Sequence, residues 1–207
     1  MEGKIIESKD QASFEGNKKY ELVLEVAREL FWKYGFKRVS IEEVVRKANI
    51  SKMTFYRYFP NKTELARKVF DQVVSKGLEN FREIMESDST PQQKIHRFIM
   101  MKSEGTNDIS AEFLADFYEN PQLGLKEYIE DRTRNAWKEI IADFKKAQQK
   151  GTFRADFKPE LLIWLSQRVQ AIVTDKQMLR LYDNPQSMVM DVANLLVFGI
   201  ASREVKK

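Results

Sequence analysis

The stretch Ser40-Ile-Glu-Glu-Val-Val-Arg-Lys-Ala-Asn-Ile-Ser-Lys-Met-Thr-Phe-Tyr-Arg-Tyr-Phe-Pro-Asn-Lys62 decides the fold of this chain. Ser40 followed three residues later by Glu43 is a capping box. The serine hydroxyl accepts from the Glu43 amide, and the glutamate carboxylate accepts from the Ser40 amide. A short helix is therefore predicted from Ile41 to about Lys47. Ala48-Asn49-Ile50 makes a tight break, and Ser51 caps a further helix that runs through Tyr58. Pro60 ends it, because proline disfavours a helical conformation in the residue before it. Two short capped helices separated by three residues, the second polar and basic on its exposed face, form the pattern of a helix-turn-helix. The second helix of such a unit enters the major groove of DNA.

Working outward, apolar residues upstream recur at Tyr20, Val23, Ala27, Leu30, Phe31 and Tyr34, the spacing of one buried helical face, and Gly35 supplies a stop. A helix is predicted from about Lys18 to Tyr34. Residues 1–16 show no sustained periodicity and read as a flexible tail. Downstream, Asn61 with Glu64 repeats the capping pattern, and Leu65, Val69, Val73, Leu78, Phe81 and Met85 carry a long helix to about Glu86 that links two regions. Turn-forming residues at 87–91, 105–108, 120–121, 151–159 and 174–185 divide the remainder into about five helical segments. No alternation of period two is present. The expectation is an all-α chain, with a three-helix DNA-binding domain at 17–77 and a helical bundle at 78–207.

Composition agrees with a folded, helix-rich protein: of 207 residues 43% are hydrophobic and 32% charged, with only 8 Gly and 5 Pro. No window approaches the ~18 uninterrupted apolar residues of a membrane span, and the first residues lack the apolar core of a secretory signal, so a cytoplasmic protein with no membrane partner is expected. The absence of cysteine excludes disulfides, thiol nucleophiles and thiolate metal sites, and the single histidine, His96, leaves little for zinc or general-base chemistry. The net charge of +4 is unevenly distributed: basic residues outnumber acidic ones by 14 to 7 between positions 17 and 77, whereas residues 1–16 are slightly acidic.

The chemistry of DNA recognition assigns roles within the motif. Lys52 and Thr54 lie in the first turn of the second helix, where side chains reach base edges: Lys toward guanine acceptors, Thr through its hydroxyl or methyl. Tyr56 and Tyr58 offer phenolic donors to phosphate oxygens and Arg57 adds a charge. Lys62 opens the next helix, where free amides and the helix dipole also favour an anion. Ser40 and Ser51 are candidates for phosphate contact as well as for capping. Val44, Val45, Ile50, Phe55 and Phe59 are expected to form the small core, and Arg46 and Lys47 a solvated helix end.

The run from Ile50 to Lys62 resembles the end of the DNA-binding domain of the TetR family of bacterial transcriptional regulators. Ala27-Arg-Glu-Leu-Phe-Trp-Lys-Tyr-Gly-Phe36 and Ser40-Ile-Glu-Glu-Val44 are similar to that family too. The resemblance implies an all-helical homodimer that binds double-stranded operator DNA. A C-terminal domain would bind a small-molecule effector and dimerise, and genes would be repressed until the effector releases the protein. Two positions depart from the family pattern. Met53 stands where a small residue is common, so that it either contacts a thymine methyl or narrows the approach to DNA, and Tyr58 stands where His is common. Gly151-Thr-Phe-Arg-Ala-Asp-Phe-Lys-Pro159 resembles the connector before the last two helices of TetR relatives. Those helices, about 159–173 and 186–203, would pair with their copies through Leu162, Leu165, Val169, Val192, Leu195, Leu196 and Phe198.

Large soft side chains in the C-terminal region make Phe98, Met101, Phe113, Phe117, Trp137, Ile141 and Trp164, with the polar Gln167, the candidates for lining an effector cavity; ordinary helical cores use the same residue types. The rival readings are a structural or chromosome-organising DNA-binding protein without an effector, and a helical enzyme using Glu104, Asp108, Glu112 and Asp116. Those acids lack the Glu-x-x-His sequence of di-metal bundles. No catalytic residue, metal or cofactor is therefore expected.

Overall fold

In the computed structural model, which describes the backbone of residues 2–119, 124–161, 164–165, 172 and 175–200, the regular elements among the described residues are helices. They are α1 (Glu2–Tyr34), α2 (Ile41–Lys47), α3 (Lys52–Tyr58), α4 (Lys62–Glu86), α5 (Pro91–Gly105), α6 (Ala111–Glu119), α7 (Lys126–Gln149), α8 (Lys176–Leu179) and α9 (Pro185–Ile200). None of these is long and apolar enough to cross a membrane.

Local chemistry sets the boundaries of the first elements. Both halves of the capping box form at α2, where Ser40 Oγ accepts from the Glu43 amide at 3.1 Å and Glu43 Oε2 accepts from the Ser40 amide at 2.8 Å. Ser51 Oγ caps α3 by accepting from the Thr54 amide at 3.0 Å, and Asn61 Oδ1 caps α4 by accepting from the Glu64 amide at 2.8 Å. The break between α2 and α3 turns at Asn49, in the left-handed region with φ 51°, which Asn tolerates better than most residues. The start of α1 differs from expectation. Its helix reaches back to Glu2 instead of beginning near Lys18, because residues 2–16 contain no proline, and Gly16 weakens the helix there without ending it.

Val23, Ala27, Phe31, Val44, Phe55, Phe59, Leu65 and Val69 are fully or almost fully buried and form the centre of the N-terminal core. Tyr20 stacks on Phe59 at 5.1 Å, and the Phe55 and Phe59 rings meet at 5.5 Å. Burying each phenylalanine contributes roughly 1.5–3 kcal/mol. This core does not stop at α4: Phe113 and Leu114 of α6, Leu125 and Ile129 at the start of α7, and Met188 of α9 are buried in the same cluster. A second cluster gathers Phe81, Ile84 and Met85 of α4 with Phe144, Ala147 and Phe153. Helix α4 therefore contributes its first turns to one core and its last turns to the other.

Polar bonds fix α4 along α7. Tyr128 donates to Asp71 Oδ2 at 2.6 Å, Arg132 pairs with Asp71 at 3.5 Å and donates to Ser75 Oγ at 3.0 Å, and Arg82 pairs with Glu139 and, at 3.3 Å, with Asp143. The buried Lys94 ties α5 to the end of α4 by donating to the Met85 carbonyl at 2.7 Å.

Candidate nucleic-acid interface

Helix α3 divides its side chains cleanly. Phe55 points into the core, while Met53 is 83% and Tyr56 52% exposed, and Lys52 and Arg57 are also exposed. Met53 thus leaves a large apolar thioether in water beside the charged groups of the same short helix. The buried Phe55 and Phe59 hold this face rigidly on α1 and α4.

Several polar groups expected to face DNA have partners within the motif. Lys52 Nζ lies 2.5 Å from Glu42 Oε1. Their mutual hydrogen bond holds the carboxyl of Glu42 below its ordinary range and the ammonium of Lys52 above its own. Thr54 Oγ1 and Ser51 Oγ share a hydrogen bond at 2.9 Å. Arg57 donates to the Tyr58 hydroxyl at 3.2 Å and lies over that ring at 5.1 Å, while the ring of Tyr58 meets Tyr20 edge-on at 5.8 Å. Ser40 Oγ also donates to Glu43 Oε2 at 2.9 Å, so its hydroxyl is occupied in both directions by the capping box.

Lys62 behaves differently from expectation. Its ammonium donates to the carbonyls of Phe36 at 2.8 Å, Val39 at 2.8 Å and Lys37 at 3.3 Å, and it lies 4.5 Å from the centre of the Phe36 ring. Burial lowers its pKa, opposed by the charges of Asp116 and Glu43. An ammonium has three donors, and all three serve the α1–α2 turn. The phosphate contact expected of this charge is thus replaced by an internal one. The backbone amides at the start of α4 are a separate feature of that helix end.

The same turn receives a residue that sequence reasoning placed elsewhere. Asp116 of α6 is buried, accepts from the Lys37 amide at 2.8 Å and lies 3.9 Å from Lys37 Nζ. In the sequence it stands only among the four acids of the rival catalytic reading. Nearby, the Ser110 amide donates to the Trp32 carbonyl at 2.9 Å, the Trp32 indole donates to the Gly105 carbonyl at 3.3 Å, and the rings of Trp32 and Phe113 pack at 4.3 Å. The end of α1 and the start of α6 are thereby joined.

The effector candidates do not form one group. Phe98, Met101 and Trp137 are half-buried and pack on the second core cluster, with Phe98 edge-on to Phe81 at 5.7 Å. Phe113 belongs to the N-terminal core through Trp32, and Ile141 is half-buried on α7. Trp164 is 54% exposed. The side chain of Phe117 and the whole of Gln167 lie outside the described residues.

Residues 23–69 match the family model of bacterial regulatory proteins of the tetR family. Over that segment the chain is similar to the TetR family. Among curated relatives, the chain is 28% identical over 106 residues to the uncharacterized HTH-type transcriptional regulator YhgD of Bacillus subtilis, an alignment covering 50% of this chain and 54% of YhgD. It is 25% identical over 136 residues to the HTH-type transcriptional regulator UidR of Escherichia coli, covering 65% of this chain and 68% of UidR. The chain thus spans about half the length of the first of these relatives. Its fold is similar to that of the transcriptional regulator FadR from Bacillus subtilis in complex with stearoyl-CoA, with a TM-score of 0.62 at 18% identity over 87% of this chain and 99% of FadR.

Proposed function

We propose that this chain is a sequence-specific DNA-binding transcriptional regulator that represses from a palindromic operator and is released by a small-molecule effector. The observation that carries the reading is the face of α3, where Lys52, Met53 and Tyr56 stand in solvent on a helix anchored by buried Phe55. In this reading residues 17–77 form the DNA-binding unit, and residues 78–207 bind the effector and dimerise. Lys52, Met53 and Thr54 meet base edges. Tyr56, Arg57 and Tyr58 position the helix on phosphates, joined by Ser40 and Ser51 when their O–H groups turn from Glu43 and Thr54 to donate to a phosphate oxygen.

Dimerisation is supported by exposed apolar side chains on the last elements: Leu195 is 76% and Phe198 65% exposed on α9, and Leu161 and Trp164 are about half exposed. A second copy would remove this surface from water. An apolar effector would bind at the second core cluster, at the far end of α4, against which the half-buried Phe98, Met101 and Trp137 pack. FadR, which shares the fold, was crystallised with an acyl-CoA thioester. Binding there would act on α4 and on the α6 contacts to the α1–α2 turn, shifting the population between dimers whose recognition helices match or miss the ~34 Å spacing of successive major grooves.

The test is selection of bound duplexes from a random pool at fixed salt. A two-fold symmetric consensus bound by dimers supports the proposal; recovery of unrelated sequences contradicts it.

A further inference from the structure

The ion pair between Glu42 and Lys52 joins the two helices of the motif at the surface where a polyanion would dock. Both side chains are more than half exposed, and their charged atoms are 2.5 Å apart. Exposed pairs of this kind contribute little to stability, and an acid in the first turn of α2 gains only modestly from the helix dipole. On a DNA-binding surface, however, a carboxylate has a consequence of its own, because it repels every phosphate brought near it.

Lys52 opens α3 and has two classes of acceptor within reach of a docked duplex. On a phosphate, the ammonium either leaves Glu42 bare in front of the backbone or holds the carboxylate and phosphate charges against each other. On guanine O6 or N7 the acceptor is neutral, and one N–H can stay with Glu42 while another turns to the base. The pair survives the second contact and opposes the first.

We propose that Glu42 is a specificity-determining positioning residue, which holds the Lys52 ammonium toward guanine acceptors in the major groove and away from capture by the phosphate backbone. This rests on the regulator reading above. It adds that base selection by α3 depends on an acid in α2 that donates nothing to DNA.

The experiment compares full-length wild type, Glu42→Gln, Glu42→Asp, Lys52→Ala and the Glu42→Gln/Lys52→Ala double variant. Each is titrated, over a salt series, with the duplex selected by the wild type, with that duplex changed at each guanine, and with a scrambled duplex. Thermal melting confirms folding. For Glu42→Gln, affinity for scrambled DNA should rise and its logarithmic salt slope steepen by about 0.9, the value for one further phosphate contact. Preference for guanine at one pair of each half-site should fall about fivefold or more, and Glu42→Asp should fall between the two. In the Lys52→Ala background, Glu42→Gln should leave the guanine preference unmoved. Wild-type guanine preference and salt slope in Glu42→Gln would overturn the role of Glu42 while leaving the regulator reading standing. A wild-type protein that prefers no duplex over the scrambled one would overturn both.

Discussion

Asp116 of α6 accepts a hydrogen bond from the backbone amide of Lys37 at 2.8 Å. The bond ties a helix from the C-terminal half to the turn between α1 and α2, two residues from Gly35, and the Lys62 ammonium holds the carbonyl side of the same turn. The turn that sets the position of the helix-turn-helix is thus satisfied from two directions, by an anion from α6 and a cation from α4. These bonds join α4 and α6 to the segment that leads into α2.

Asp116→Ala leaves the Lys37 amide without its partner, and the loss of a hydrogen bond to a charged group costs roughly 1.5–3 kcal/mol. Asp116→Asn keeps a side-chain oxygen acceptor and should cost less. Urea denaturation of the two variants should give that order, and equal midpoints for Asp116→Ala and wild type would show that the bond contributes nothing.

Gly35 has φ +79°, and a Cβ at this position would lie 2.9 Å from Asp116 Oδ2 and 3.1 Å from Glu112 Cβ. Gly35→Ala combines left-handed strain with that collision and should destabilise by about 2 kcal/mol or more. Gly77, in the interior of α4, has nothing within 4 Å of an added Cβ. Gly77→Ala should therefore stabilise by about 0.5–1 kcal/mol. Thermal melts of both variants check the contrast, and a shift of the same sign in the two would contradict it.

Lys62→Met keeps the aliphatic stem and removes the three donors to Phe36, Lys37 and Val39. Stability should fall by roughly 2 kcal/mol, while the salt slope of DNA binding by the folded variant stays at the wild-type value. An unchanged melting temperature with a shallower slope would instead assign the ammonium to phosphate.

Tyr128 bonds to Asp71, and burial together with that neighbouring carboxylate pushes its phenol from 10.0 up to about 12. A pKa raised in the folded state contributes stability that is fully present below pH 10 and is lost as pH rises toward 12. Tyr128→Phe should lower stability at neutral pH and reduce the decline over that alkaline window. Denaturation midpoints between pH 8 and 11.5 measure both, and parallel curves for the two proteins would contradict the assignment.

The elements around the motif were legible because their signals are local. Ser40 with Glu43, Ser51, Asn61 and Pro60 act within four residues, and α2, α3 and α4 begin, and α3 ends, where those residues place them. The start of α1 was not legible, since residues 2–16 carry no proline and the helix runs through Gly16. The bond between Asp116 and Lys37 joins residues 79 positions apart, and no local pattern announces it. Lys62 was assigned outward because a lysine at a helix start suits an anion; its carbonyl acceptors come from a turn whose path only the folded chain defines. Phe98, Phe113 and Trp137 look alike in sequence, and packing alone separates Phe113, which joins Trp32 in the N-terminal core, from the two that meet the second cluster.

The central claim is that α3 selects bases in the major groove as half of a dimer. The most direct measurement is the affinity of the full chain for its selected duplex and for a scrambled duplex of equal length and composition, across a salt series and with the stoichiometry determined. Two protomers per duplex and a preference of about 10³-fold or more at physiological salt are expected. Equal affinity for the two duplexes at every salt concentration would contradict it.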